Sequence, residues 1–178
     1  VSTKGNGHWI AGGVTGPKRP NMWDTSIRVP LVMRWPAVIK PGTQFDEIVS
    51  NIDMFKFVLG ALKIPQPANL KLHGIDYSPL LFGQPAPVRK ALFGQYDLHN
   101  NGLAYLRMIR TPKLKYVKHY RARNMDELYD LETDPGENTN LLQRRTRKNW
   151  QDTADLLEDQ LIEWQKSIQD PILEPAYE

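Results

Sequence analysis

The chain has 178 residues, 40% of them hydrophobic, with 23 Lys and Arg against 20 Asp and Glu for a formal charge of +3. That is the composition of a globular protein with enough apolar material for a core; the small basic surplus is no nucleic-acid signature, and no apolar run approaches the roughly 18 residues of a membrane span. Cysteine is absent, which excludes disulfides, thiolate metal sites and a cysteine nucleophile within these residues. Residues 1–26 are rich in Gly, Pro and Asn without periodicity and read as one long loop, a feature more often functional than accidental. "IRVPLVMRWP" (27–36) is β-branched and apolar, is closed by Pro36, and predicts a buried strand. In "NIDMFKFVLGALKI" (51–64), Phe55, Leu59 and Leu62 fall at helical spacing behind Ser50 or Asn51 as the N-cap, with Gly60 a mild weakness and Pro65 the stop.

Residues 65–90 carry five of the 14 prolines and predict a surface crossing between subdomains. Beyond them, "KALFGQYDL", "LAYLRMIRT", "KLKYVKHY" and "DELYDLETD" are four strand-sized segments separated by Asn-Gly, Pro or charged breaks, a spacing that predicts an antiparallel sheet. Trp150, Ala154, Leu157, Leu161, Trp164 and Ile168 then recur at steps of four and three, one apolar stripe of a helix that packs on that sheet. Charge is laid out in blocks: residues 107–123 hold seven Lys or Arg and no acid, and 126–137 hold six Asp or Glu and no base. Pairing across adjacent strands would neutralise most of this pattern; a polyanion-binding strip is the alternative.

Two blocks of sequence resemble the sulfatases of the alkaline-phosphatase superfamily. The first runs through "TKGN" (3–6), "NMWDTSIRVPLVMRWPAVIKPG" (21–42) and "VSNIDMF" (49–55). The second, "LRMIRTPKLKYVKHY…DELYDLETDPGENTNLL" (106–142), is similar to the C-terminal subdomain of the family. The resemblance implies an α/β fold: the C-terminal end of an alkaline-phosphatase-like sulfatase domain, followed by a small four-stranded antiparallel sheet packed by a C-terminal helix. Residues 1–64 would end the catalytic domain with its active-site loop, a strand and a helix; 65–90 would be the crossing, and 91–178 the C-terminal α+β subdomain. The implied activity is hydrolysis of a sulfate ester on a sulfated carbohydrate or aryl sulfate. A phosphonate or phosphodiester hydrolase of the same superfamily, or a non-catalytic remnant that binds sulfated glycans, are the alternatives.

Sulfatases use a formylglycine and a calcium ion. Neither the Cys/Ser-x-Pro/Ala-x-Arg motif nor the acidic calcium motifs occur here, so both groups are expected in the full-length protein and neither on residues of this chain. The expected partners are a sulfated small molecule or glycan and the missing N-terminal part of the same protein, with no nucleic acid and no membrane. The family locations implied are periplasmic, secreted or lysosomal.

Cleaving a sulfate ester needs cations around the sulfonyl oxygens and a proton for the leaving alkoxide, and the resemblance implies a loop Lys for the first task. Lys4 keeps the Lys-Gly context and is the preferred catalytic candidate, with residues 8–19 as an insertion. Lys18 keeps the closer spacing to Trp23-Asp24 and competes with it; a solvated loop charge is its bland reading. His8 is a candidate substrate contact or proton donor. His99 and Asn100, between two strand-sized segments, are candidates for reaching the substrate cleft, although an Asn-Gly hairpin turn accounts for Asn101-Gly102 unaided. Asp24 and Arg28 are expected to fix the loop by pairing with each other. Trp23 stands where the family usually has Tyr, which puts a hydrogen bond from that position in doubt, and His73 and His119 are expected at the surface.

Overall fold

The structure is a computed structural model and describes residues 21–97, 105–122 and 124–174. The chain divides into two compact units, one formed by the N-terminal segment through Val29 together with Ala91 onwards, the other by Pro30–Lys90.

The first unit is built on four antiparallel strands in the order β1-β2-β3-β4: Leu92–Tyr96, Leu106–Arg110, Leu114–His119 and Glu127–Asp130. These are the four predicted segments, each paired with its sequence neighbour: Gly94 faces Met108, Met108 faces Val117, and Tyr116 faces Leu128. Alternation along the strands sends successive side chains to opposite faces, and here both faces are covered. One face carries Ile109, Tyr116 and Leu128 under helix α3 (Arg147–Ser167). The predicted stripe is the packed side of this helix: Ala154, Leu157 and Leu161 are buried, and Trp164 lies parallel to Phe93 with ring centroids 4.9 Å apart. The other face, Leu106, Met108 and Val117, is covered by Met22 and Ile27.

Most of the basic block is neutralised by nearby acids, though not only across strands. Lys113 reaches Glu132, Lys115 reaches Glu137, and Lys118 bridges Asp126 on one side and Glu158 of α3 on the other. Arg107, 1% exposed, makes a two-pronged bond to Asp170 just past the end of α3, at 2.6 and 2.9 Å, and a third to Asp97 at 2.6 Å. Asp170 in turn accepts from the Gln165 side chain and the Ile172 amide, so one carboxylate ties the end of the helix to the middle of the sheet.

In the second unit, a 3-10 turn (Asn51–Asp53) leads into α2 (Met54–Ala61). Asp53, 1% exposed, accepts from the Ser50 and Ile75 amides and pairs with Arg89. The predicted helix is present, but its packed residue is Phe57, stacked on Tyr77 at 4.4 Å. Phe55 and Leu62, expected on the packed side, are 52% and 57% exposed. Gly60 is required by close approach: a Cβ there would lie 2.3 Å from Asp76 Oδ2 and Ser78 Oγ. The strand expected at 27–36 does not form among the described residues. Ile27 ends a helical turn, and Val29, Leu31 and Val32 follow in a stretch with no strand, 65%, 46% and 88% exposed. An apolar, β-branched run becomes a strand only when another strand takes up its amides and carbonyls.

Candidate functional site

The described part of the N-terminal segment starts at Asn21 and lies across the second face of the sheet. Asn21, Met22 and Trp23 are 2%, 4% and 0% exposed. Trp23 then opens a single helical turn, α1 (Asp24–Ile27), its carbonyl accepting from the Ser26 and Ile27 amides.

Two polar clusters hold this segment. The first centres on Lys115, whose ammonium is fully buried and donates to the Met22 carbonyl at 2.9 Å, Asp24 Oδ1 at 2.5 Å and Glu137 Oε1 at 2.6 Å. Three acceptors use all three of its protons. Glu137 also accepts from the Asp24 amide, and Arg110 donates to both oxygens of Asp24. Two carboxylates and two cations thus close on one another around the start of α1. Burial pushes the Asp24 carboxyl up, but the hydrogen bond from Arg110 and the pull of Lys115 together outweigh it and hold the group below its ordinary range. For Glu137 burial wins over Lys115, and its pKa is raised. Glu137 is also in the left-handed backbone region at φ 54°, a conformation that costs a non-glycine residue roughly 1 kcal/mol and persists where surrounding contacts over-determine it. The Asp-Pro-Gly-Glu turn that carries it is held by Asp134, which accepts from the Thr139 amide and the Asn138 side chain. Asn140 then pins the following segment along β4, accepting from the Leu128 and Leu142 amides.

The second cluster lies under Trp23. Its indole N–H donates to Glu127 Oε2 and to the Tyr129 hydroxyl, both at 3.3 Å; Tyr129 donates to Glu127 at 2.6 Å, and His119 Nε2 meets the other Glu127 oxygen at 2.7 Å. Burial pushes the Glu127 carboxyl up and the His119, Tyr129 and Trp23 contacts bring it below the ordinary range; the Tyr129 hydroxyl is pushed up by burial and by Glu127. Beside the first cluster, Asp24, Arg28, Arg110, Pro112 and Pro135 help to line an open cleft of about 410 Å³.

Several expectations are revised by this geometry. Asp24 pairs with Arg110 and Lys115 and not with Arg28, which is exposed on the cleft wall. The pairing needs the β2–β3 register, which proximity in sequence cannot reveal. Trp23 does make a hydrogen bond, with the indole N–H in place of a hydroxyl. His119 is buried at 5% exposure with Nδ1 unpartnered, while His73 is exposed as expected. Lys4, His8, Lys18, His99 and Asn100 lie outside the described residues. The sequence carries little sign of the Lys115–Glu137 pair: Lys115 is one of several basic residues in its strand, and Glu137 is the last of the six acids of 126–137. Among the described residues no three His, Asp or Glu side chains converge as a metal site would need. No described helix is long and apolar enough to cross a membrane.

Residues 17–167 match the family model of N-sulphoglucosamine sulphohydrolase, C-terminal. Human (Homo sapiens) steryl-sulfatase is 39% identical over 84 residues, 47% of this chain and 14% of that protein. An ulvan-active sulfatase of Formosa agariphila is 27% identical over 184 aligned positions, 85% of this chain and 35% of the relative. Among solved structures, one in complex with its substrate D-glucosamine-2-N,6-O-disulfate superposes with a TM-score of 0.66 at 26% identity, over 79% of this chain and 29% of the other. The chain therefore spans about a third or less of the length of these relatives.

Proposed function

From its membership of the N-sulphoglucosamine sulphohydrolase C-terminal family of sulfatases, shown by the match over residues 17–167, we propose that this chain is the C-terminal part of a sulfate ester hydrolase. It would contribute a sulfate-binding Lys loop and cleft residues to hydrolysis of a sulfate ester on a sulfated carbohydrate or an aryl sulfate. The observation that carries the proposal is that one family match takes in both the segment at 21–29 and the sheet that anchors it. Lys4 would bind the sulfate oxygens, with Lys18 its competitor, and His8, His99 and Asn100 would contact substrate. The formylglycine nucleophile and the calcium ion of the family would come from residues outside this chain. Residues 1–64 would close the catalytic α/β domain, and the exposed apolar run after Ile27 supports this, since Val32 at 88% exposure suits a strand that pairs with another part of that domain.

The test uses the complete polypeptide with 4-nitrophenyl sulfate and N- or O-sulfated glucosamine. Lys4→Ala should lower kcat/KM by roughly 10²-fold, about 3 kcal/mol, as for loss of a preorganised charge at a developing oxyanion. Lys18→Ala should cost less than about tenfold, as a solvated charge that only steers. The reverse ranking moves the sulfate contact to Lys18; two neutral variants remove Lys from the mechanism, and no turnover of any sulfate ester by the complete protein refutes the activity.

A further inference from the structure

We infer that Lys115 and Glu137 are positioning residues, which fix Met22 and Asp24 on the sheet and so set the aim of the lysines that precede them in the chain. This rests on the function proposed above. The ammonium of Lys115, with no exposed surface, uses all three protons on the segment and its support: the Met22 carbonyl, Asp24 and Glu137. The second oxygen of Glu137 takes the Asp24 amide. Main-chain atoms of Met22 and Asp24, on either side of Trp23, are therefore held from the sheet side by one charged pair, together with the side chain of Asp24. Such contacts fix where the backbone runs, beyond merely filling space. Glu137 does this from a left-handed backbone conformation, which its surrounding contacts hold in place. Lys18 is three residues before Asn21 in the sequence, so a shift at Met22 and Asp24 is passed on along a short stretch of chain. Displacement of a catalytic group by about 1 Å costs on the order of 10²-fold in rate.

Lys115→Met alone leaves Glu137 buried beside no cation and risks unfolding, so the informative variant is Lys115→Met/Glu137→Gln, which removes both charges while Arg110 still pairs with Asp24. Two measurements are made on it. Hydrogen exchange on the complete enzyme reads the amides of residues 22–28, and steady-state kinetics on the same protein read kcat and KM for 4-nitrophenyl sulfate. The expected result is a protein that melts within about 5 °C of the parent, exchanges at 22–28 at least tenfold faster, and loses roughly 10²-fold in kcat with KM changed less than threefold. Arg110→Gln, which leaves the Lys115 contacts in place, should lose less than a tenth as much. Unchanged exchange at 22–28 overturns the anchoring. Accelerated exchange with unchanged kcat overturns the positioning role. An inactive parent enzyme refutes the sulfatase reading and the positioning role that rests on it, while the exchange result still decides the anchoring.

Discussion

Replacing Asp170 by Ala tests how the end of α3 is tied to the sheet. The side chains of Arg107 and Asp170 are 2% and 1% exposed, so this ion pair lies in the regime where solvent screening is slight. Breaking a buried pair from one side costs about 3–5 kcal/mol, mostly because the remaining charge has lost its partner. Arg107 keeps Asp97, whose side chain is 38% exposed and only partly compensates, which favours the lower end, about 3 kcal/mol. Asp170 also accepts from Gln165 and from the Ile172 amide, and losing those bonds adds about 1 kcal/mol. The total of about 4 kcal/mol corresponds to a fall of roughly 8–16 °C in the melting temperature of a chain this size. Urea unfolding followed by far-ultraviolet circular dichroism gives the free energy, and a thermal scan the second number. Arg107→Met/Asp170→Ala should recover at least half of the loss, since no buried charge is then left alone and Asp97 can turn to water. A cost below about 1 kcal/mol for Asp170→Ala, or a double variant that is simply the sum of its parts, would refute the assignment of this pair as the link between helix and sheet.

Trp23→Phe should cost about 1–2 kcal/mol in the same urea assay, since it removes one indole N–H and some buried volume while Glu127 keeps Tyr129 and His119; Trp23→Ala should cost about 3–5 kcal/mol. Stability should also fall in acid. Asp24, Asp170 and Glu127 are each pushed up by burial and brought below the ordinary carboxylate range by their cationic and hydrogen-bonding partners, so the stability they add is present above the unfolded values near about pH 4 and is lost as pH falls through the folded ones. Glu137, raised by burial, has the opposite sign: its share is lost as pH rises through its folded value. A melting-temperature profile from pH 2 to 7 should therefore drop below about pH 4, with a smaller drop in Asp170→Asn and a flatter upper limb in Glu137→Gln; a flat parent profile contradicts both assignments.

The elements with a strong period were legible in the sequence. The four strands and α3 are found where "LAYLRMIRT", "KLKYVKHY" and the Trp150–Trp164 stripe place them, because local pattern and tertiary packing agree there. The helix at Met54 was legible but its packed side was not: Phe55 and Phe57 both suit a helix, and only the return of Tyr77 decides between them. The run at 27–36 has strand chemistry, but a strand is a relation between two segments, and no described residue supplies the second. The charge blocks announced ion pairs without naming the partners. Lys115 meets Glu137 and Asp24, and Arg107 meets Asp170, through contacts that depend on sheet register and on where α3 ends. The candidate contacts Lys4, His8, Lys18, His99 and Asn100 rest on motif resemblance alone.

The bonds from Lys115 to Asp24 and from the Asp24 amide to Glu137 join positions 91 and 113 residues apart. On a ribosome adding about 5–20 residues per second, Met22, Trp23 and Asp24 would be made roughly 5–18 s before Lys115 exists. During that interval the groups that pair with the tryptophan and the acid in the finished fold, Glu127, Tyr129, Lys115 and Glu137, have yet to be made. Closing a chain of that length costs about 4 kcal/mol of entropy, which the four-strand meander, paired only between neighbours, does not have to meet. The meander can therefore form first and receive the older segment last. Loss of Lys115 or Glu137 would then show in the cell as a longer-lived chaperone-bound nascent chain, before any defect in the finished protein could be measured.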